Sequence, residues 1–333
     1  MEPASPPVPA SAAPLAPPFR LAHLSDPHLA PLPHAAAGQL LSKRITGLLS
    51  WQVRRRRIHV SRALDAVCDD IGRGGFDHIA VTGDVANIAL PAEFEHGARF
   101  LEGLGPPRDV SLVPGNHDTY VRQDWARGLQ RWTAYMTGDD QAPPHDLQGF
   151  PFLRRRGPVA IVALNTGVPE AWFFATGELG HAQIERAERL LAQTAGMFRL
   201  VLIHHPPQKG GAPWRKRLVD APQFQAMIGR VGAELVLHGH MHRPMLGRID
   251  GPLGPVPVLG VSSASSDVLS YYGAGGYQAI EIGRDAQGWV ADIEIRRLQP
   301  DYASCAPASR FRFRLPLAGP AAAPSGTAAS AAA

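Results

Sequence analysis

The chain has 333 residues, of which 45% are hydrophobic and only 19% are charged, with 34 glycines and 32 prolines. This composition is typical of a loop-rich α/β protein rather than a helical bundle, and the length allows one large core or two small ones. The formal net charge is +4 with the 14 histidines neutral, an excess too small and too dispersed for nucleic acid to be the main partner.

Short apolar runs bounded by glycine or proline predict buried strands, and apolar residues at helical spacing predict the helices between them. In chain order we predict strand 20–24, a long excursion at 34–57, helix 58–71, strand 78–81, helix 93–104, strand 110–113 and helix 125–136. Strand 159–164, helix 180–193, strand 200–203, helix 222–231 and strand 235–237 follow. The last part contains strands only, at 256–261, 278–282, 289–295 and 311–315. This order predicts two packed sheets with helices outside.

The two ends of the chain differ from the rest in composition. Residues 1–18 are rich in proline and alanine and residues 318–333 in alanine, so we predict that both are disordered and that one domain covers 19–317. No apolar run reaches the ~20 residues of a membrane span, and the N-terminal stretch lacks a signal-peptide pattern. Cys68 and Cys305 match no disulfide or metal spacing. These features predict a cytoplasmic protein with reduced thiols.

Five predicted strands are followed at once by side chains that can bind metal ions. The blocks are Asp26-Pro27-His28, Gly83-Asp84, Gly115-Asn116-His117-Asp118, His204-His205 and Gly239-His240-Met241-His242. Polar residues past buried strands lie at the carboxyl edge of an open sheet, so we expect one shared site. Imidazole, carboxylate and amide donors without thiolate favour Mn, Fe or Zn. With only two carboxylates, a cluster of two such ions keeps a positive charge and favours a phosphate ester as substrate.

These blocks, in this order, resemble those of the calcineurin-like metallophosphoesterase superfamily over most of residues 20–245. The resemblance implies the metallo-dependent phosphatase fold, a four-layer double β-sandwich flanked by helices, and two divalent or trivalent metal ions. The ligands that it implies are Asp26, His28 and His242 for one ion, Asn116, His204 and His240 for the other, and Asp84 between them.

The resemblance also implies that a hydroxide between the ions attacks phosphorus. His117 would contact the phosphate and protonate or stabilise the leaving oxygen. Asp118 would either hydrogen-bond His117 or act as a turn residue, and His205 would face the substrate or merely pack. Other polar residues near strand ends are predicted to be structural, namely His23, His78, His238, Asn87 and Asn165.

The Gly-Asn-His-Asp and His-His-Pro-Pro blocks are most similar to the bacterial class III cyclic-nucleotide phosphodiesterase branch. By analogy, this similarity predicts a phosphodiesterase for a small diester, with cyclic AMP as a candidate. The alternative is a pyrophosphatase of a nucleotide-activated lipid, similar to the UDP-diacylglucosamine hydrolases, many of which carry arginine where this chain has His117. A non-catalytic scaffold is disfavoured because every ligand position is filled.

The excursion contains a basic amphipathic segment, Leu41–Arg57. One helical face carries Leu41, Ile45, Leu48, Leu49 and Val53, flanked by Trp51 and the run Arg54–Arg57. We predict a helix packed on the domain with a solvated basic end. Contact with an anionic inner-membrane surface and a cap over the site, with the arginines near phosphate, are the alternatives. Tyr271, Tyr272 and Tyr277 are predicted to form a turn, with base stacking or a homodimer contact as alternatives.

Overall fold

The computed structural model describes residues 17–317, so the predictions of disorder for both ends fall almost entirely outside the described residues. The strands are β1 (Phe19–Leu24), β2 (His78–Val81), β3 (Val110–Leu112), β4 (Phe152–Arg156), β5 (Val159–Ala163), β6 (Phe198–Leu202), β7 (Leu235–His238), β8 (Met245–Gly251), β9 (Gly254–Gly260), β10 (Gly276–Asp285), β11 (Gly288–Leu298) and β12 (Cys305–Leu315). The helices are α1 (Arg44–Val53), α2 (Ser61–Arg73), α3 (Pro91–Leu104), α4 (His181–Gln193) and α5 (Ala221–Val231).

The strands form two six-stranded sheets. The first has the order β12-β11-β10-β1-β2-β3 and the second the order β4-β5-β6-β7-β9-β8. Strands β1, β2 and β3 are parallel, as are β5, β6, β7 and β9, whereas the other pairings are antiparallel. The parallel strands of each sheet therefore end at one edge, where polar side chains can meet.

Successive residues of a strand face opposite sides of the sheet, and their burial shows where the two cores lie. On β5, Val159 and Ile161 belong to the core between the sheets, whereas Ala160 and Val162 pack in a second core with Ile184 of α4. Residues of α2 join the inter-sheet core from the other side. The order is thus helix, sheet, sheet, helix, and the predicted four-layer α/β sandwich is confirmed.

Several predicted elements differ from the observed ones. Strands β4 and β8 were not predicted, because both are edge strands with polar residues and lack a continuous apolar run. The helix predicted at 125–136 is two 3-10 stretches, Trp125–Arg127 and Leu129–Met136, interrupted at Gly128. Helix α2 begins three residues later than predicted, because His59 forms a β-bridge with Ser266.

Helix α1 packs on the domain through a different face from the apolar one. Its buried residues are Gly47 and Trp51, whereas Ile45, Leu49 and Val53 are 46%, 55% and 73% exposed. The apolar stripe therefore points to solvent. Within residues 17–317, no helix is both long and apolar enough to cross a bilayer.

Candidate active site

The predicted site residues lie at the carboxyl ends of parallel strands from both sheets. The first sheet supplies Asp26 and His28 after β1, Asp84 after β2, and Asn116 and His117 after β3. The second sheet supplies His204 after β6 and His240 and His242 after β7. The site is therefore built where the two sheets meet.

Backbone contacts hold these loops together. The amide of Asp26 donates to the Gly83 carbonyl at 2.9 Å, and the amide of His28 donates to the Asp84 carbonyl at 3.0 Å. A Cβ at Gly115 would collide with the Asp84 carboxylate and backbone, so only glycine allows this close approach. Across the sheets, the His240 amide donates to Asp26 Oδ2 at 3.0 Å.

The loop backbone is strained at the site itself. Eight described residues other than glycine have a positive φ, and five of them are predicted ligands, namely Asp26, His28, Asp84, His240 and His242, with φ between 38° and 69°. Such residues cost about 1–3 kcal/mol each and persist where the surrounding structure over-determines them, often at functional sites. The strain therefore points to the same place as the sequence motifs.

One group of donor atoms surrounds His242. Its Nε2 lies 3.2 Å from His28 Nε2 and 3.2 Å from Asp26 Oδ1. His28 Nε2 lies 3.8 Å from Asp84 Oδ2. Donor atoms at ~2.1 Å from one ion are expected to be roughly 3–4 Å apart, so these four side chains fit a metal ion.

A second group surrounds His204. Its Nε2 lies 3.3 Å from Asp84 Oδ2 and 3.3 Å from Asn116 Oδ1. The His240 ring lies 5.1 Å from the His204 ring, and its Nε2 donates to the Lys216 carbonyl at 3.0 Å, which leaves Nδ1 free. Asp84 thus contributes to both groups, which makes two neighbouring cation sites geometrically feasible.

The hydrogen bonds and charges of the histidines suit metal binding. Nδ1 of His204 donates to the Thr82 carbonyl at 2.6 Å and Nδ1 of His28 to the Ala86 carbonyl at 3.2 Å, so both Nε2 lone pairs face the site. Burial opposes the charged form of His204, yet the Asp84 carboxylate raises its pKa to about 9. At neutral pH the metal-free ring therefore carries a proton on Nε2 that a bound cation would replace, and in both states the position favours positive charge.

His117 lies beside these groups. Its Nδ1 donates to the Asn87 carbonyl at 2.5 Å, and its ring stacks on Tyr120 with centroids 5.5 Å apart. Burial and the nearby Arg55 lower the pKa of His117 to about 3, so the ring is neutral near pH 7. In this state it offers the Nε2 lone pair rather than a proton.

Asp118 lies beneath the site rather than against His117. Its oxygens accept the amides of Asp84, Ala86 and Gly115, each at 2.8 Å. Burial and the Asp84 carboxylate raise the pKa of Asp118 to about 7, and the amides act in the opposite direction. Among the described contacts, no hydrogen bond joins the carboxylate of Asp118 to His117, so the contacts favour the turn-residue alternative.

The remaining polar residues mostly hold loops. For His205 the alternatives were to face the substrate or to pack, and both of its nitrogens have structural partners, since Thr166 Oγ1 lies 2.7 Å from Nδ1 and the Ala175 carbonyl 3.2 Å from Nε2. The Asn87 side chain donates to the Leu29 carbonyl at 2.8 Å, as a loop residue should. His23, Asn165 and His238 also bond to protein groups, and so does His78 through Nε2.

Two residues at the site lie outside the motifs. Arg55 was considered only within the run Arg54–Arg57 of the capping alternative, and His59 was not predicted. Arg55 contacts His28 and His117, and His59 lies beside His28 with ring centroids 4.4 Å apart and the rings tilted by 57°. Both follow Trp51 at intervals of four residues. This four-residue spacing could have indicated that the three side chains share one face. The prediction instead followed the apolar residues of the opposite face.

The site opens into a cavity of about 370 Å³. Four cations line it, namely Lys43, Arg54, Arg55 and Lys216. Phe173, Tyr271 and Tyr272 form an aromatic rim, and Tyr271 and Tyr272 lie in a turn as predicted, whereas Tyr277 belongs to β10. The cavity therefore suits an anionic ligand that also carries an apolar or aromatic part.

Two packed sheets that present aspartate, histidine and asparagine at a shared strand edge define a metallophosphoesterase. The family model for calcineurin-like phosphoesterases matches residues 19–244, and the chain belongs to this family. It is therefore a hydrolase of phosphoric esters.

Two curated relatives have the same similarity to this chain. The 3',5'-cyclic adenosine monophosphate phosphodiesterases CpdA of Escherichia coli K12 and O157:H7 are each 25% identical over 234 residues, which is 68% of this chain and 70% of theirs. Purple acid phosphatase PPD1 from yellow lupin superposes with a TM-score of 0.56 at 12% identity, over 92% of this chain and 54% of that one. The chain thus spans about half of the lupin protein, and this likeness concerns the fold alone.

Proposed function

We propose that the chain hydrolyses a phosphodiester with two metal ions bound, and that a cyclic nucleotide such as cyclic AMP is the first substrate to test. The observation that carries this proposal is the pair of donor groups that share Asp84. The similarity to the CpdA enzymes supports the choice of a cyclic diester.

In this proposal, Asp26, His28 and His242 hold one ion, and Asn116, His204 and His240 hold the other. The bound ions, for which the donors favour Mn, Fe or Zn, supply Lewis-acid activation of water and of the phosphoryl oxygens. His117 contacts the phosphate through the ring edge that faces the cavity, and the Asn87 carbonyl fixes its orientation. Because its low pKa keeps the ring neutral, His117 would have to be protonated before it could donate a hydrogen bond to the leaving oxygen.

The first experiment compares substrates with purified, Mn-loaded protein. Bis-p-nitrophenyl phosphate and cyclic AMP should be hydrolysed, and p-nitrophenyl phosphate should be a poorer substrate. Asp84→Ala should abolish turnover and reduce bound metal, whereas the exposed Asp69→Asn variant should change neither. Turnover of monoesters alone would refute the diesterase assignment.

A specific observation favours a second candidate, a lipid-linked phosphoester. The solvent-facing stripe of α1 is apolar, and Leu41 beside it is 88% exposed. Phe173 at the cavity rim is 75% exposed. Arg54, Arg56 and Arg57 are exposed at the end of the helix. We propose that this surface contacts an anionic bilayer from the cytoplasmic side.

Co-sedimentation with vesicles tests the membrane contact. Binding should require anionic lipid, weaken at high salt, and fall in a Leu49→Ser/Val53→Ser variant as well as in an Arg56→Gln/Arg57→Gln variant. Unchanged binding in both variants would remove the membrane hypothesis. A dimer that dissociates in the serine variant would instead assign the stripe to a contact between two copies. If the membrane contact holds, a nucleotide-activated lipid pyrophosphate becomes the preferred substrate.

A further inference from the structure

We propose that Arg55 is a substrate-binding residue that holds a phosphoryl oxygen between His28 and His117. The inference rests on the proposed function in that it assumes a phosphoester in the cavity. It assigns a role to a residue that lies outside all five metal-binding blocks, in the segment between β1 and α2.

The segment that carries Arg55 is fixed to the site at several points. Arg44 Nε donates to the Ile88 carbonyl at 3.0 Å. The Lys43 ammonium lies 4.5 Å from the centre of the Tyr120 ring. Trp51 is 6% exposed. These anchors hold α1 along the side of the cavity, so the position of Arg55 is set by packing.

The guanidinium group of Arg55 has few hydrogen-bond acceptors around it. Its Nη2 lies 2.9 Å from His28 Nδ1, and its Nη1 lies 3.2 Å from His117 Nδ1. Both of these ring nitrogens lie near backbone carbonyls, of Ala86 and Asn87 respectively. A nitrogen that donates a proton to a carbonyl cannot also accept one from a guanidinium. Two other acceptors lie nearby in the described chain, namely His28 Nε2 at 3.3 Å, whose lone pair a bound metal ion would use, and the Asn87 carbonyl at 3.5 Å.

Two buried arginines of the described chain are compensated, unlike the half-buried Arg55. Arg199 makes two side-chain bonds to Glu234, at 2.8 and 2.9 Å, and Arg154 donates to four carbonyls. Within residues 17–317, Arg55 has no carboxylate within salt-bridge distance. Guanidinium donors that lack protein acceptors and line an anion-favouring cavity are suited to bind an oxyanion.

The chemistry of the group identifies the ligand. A planar guanidinium presents paired N–H donors that match two oxygens of one phosphoryl group. Between His28, a predicted metal ligand, and His117, such a phosphoryl group would lie against the metal site. Arg55 would therefore orient the substrate and stabilise negative charge that develops on the phosphoryl oxygens.

The test measures binding of inorganic phosphate to Mn-loaded protein by calorimetry, together with steady-state kinetics. Arg55→Gln should weaken phosphate binding and raise KM for bis-p-nitrophenyl phosphate by about 10- to 100-fold, as expected for a lost charge-assisted hydrogen bond. Bound metal should not change. Arg55→Lys should recover part of the loss, and guanidinium ion should restore Arg55→Ala. The matched control is Arg189→Gln, which removes an exposed arginine on α4.

The outcomes separate this inference from the proposed function. If wild-type protein binds phosphate through Arg55 but hydrolyses no diester, the proposed function fails and the anion site remains. If Arg55→Gln binds phosphate within twofold of wild type, the inference is wrong even where diesters are hydrolysed. Loss of metal in both the Gln and the Lys variants would show that Arg55 supports the ligands instead, which also overturns it. The inference would also be wrong if the wild-type protein bound no phosphate.

Discussion

At the scale of single residues, Asp118 joins the two loops after β2 and β3, which both carry site residues. A carboxylate can accept the amides of Asp84, Ala86 and Gly115 together, whereas an asparagine would turn an N–H group toward one of them. We therefore expect Asp118→Asn to lower the free energy of unfolding by about 1–3 kcal/mol. Bound metal and activity should fall with it. Denaturant titration and metal analysis of the same preparations measure both effects.

The matched control for Asp118→Asn is Asp124→Asn, an exposed position whose carboxylate caps a short 3-10 helix. Asparagine is as good a cap as aspartate, so this variant should be neutral. If Asp118→Asn retained stability and metal but lost turnover, the carboxylate would act in the reaction itself.

At the scale of elements, the contact between α1 and the site depends on Gly47. Alanine in a helix is favoured over glycine by about 0.5–1 kcal/mol. At this position, however, a Cβ would overlap the Ile88 side chain and approach Tyr120 at 3.0 Å, and overpacking costs about 1–3 kcal/mol. The cost of overpacking should exceed the gain in helix preference, so Gly47→Ala should lower the melting temperature.

Because Gly47→Ala displaces the helix that leads to Arg55, it should also reduce kcat/KM by about 10- to 100-fold. Gly38→Ala is the matched control, since a Cβ there meets no atom within 4 Å. Melting curves and diesterase kinetics of the two variants provide the comparison. Equal activity in both would mean that α1 does not position the site.

Helix α2 is attached to the first sheet by an ion pair with a clear pH dependence. Asp70 Oδ2 accepts from Tyr277 Oη at 2.7 Å and from Arg296 Nε at 2.8 Å. Burial opposes ionisation, but these partners hold the pKa of Asp70 below its ordinary value. Because the folded-state pKa is the lower one, the stabilisation is present above about pH 4 and is lost as the pH falls below it. The difference in the free energy of unfolding between wild type and Asp70→Asn should therefore be constant near pH 7 and should become smaller below pH 4.

The comparison of predicted and observed elements shows which signals are local. Buried parallel strands and the polar blocks that end them are recognisable because each is a short contiguous pattern. The orientation of α1 was not predictable, because its neighbours Ile88 and Tyr120 lie 41 and 73 residues beyond Gly47 in the chain. Edge strands such as β4 were not predicted for a related reason. Such a strand forms because it pairs with a neighbour, here β5, and its own sequence contains no continuous apolar run.

At the scale of the whole molecule, the site joins the two sheets. Asp26, Asp84 and Asn116 follow strands of the first sheet, whereas His204 and His240 follow strands of the second. Bound cations would therefore link sheets that otherwise associate mainly through their apolar faces. Since the unfolded chain cannot assemble donors that are so distant in sequence, metal binding should appear as a gain in folding stability.

The size of that gain can be stated in advance. At a free Mn²⁺ concentration of 100 times the dissociation constant, each site should add about 2.7 kcal/mol, and EDTA should reverse it. Mg²⁺ should give a smaller shift, because imidazole donors suit it poorly. In Asp84→Ala, the Mn²⁺-dependent shift should fall sharply, because both donor groups lose their shared carboxylate. Denaturant unfolding with Mn²⁺, with Mg²⁺ and with EDTA at matched ionic strength tests this without any assay of activity. Identical stability in all three solutions would show that the donors do not form a metal site.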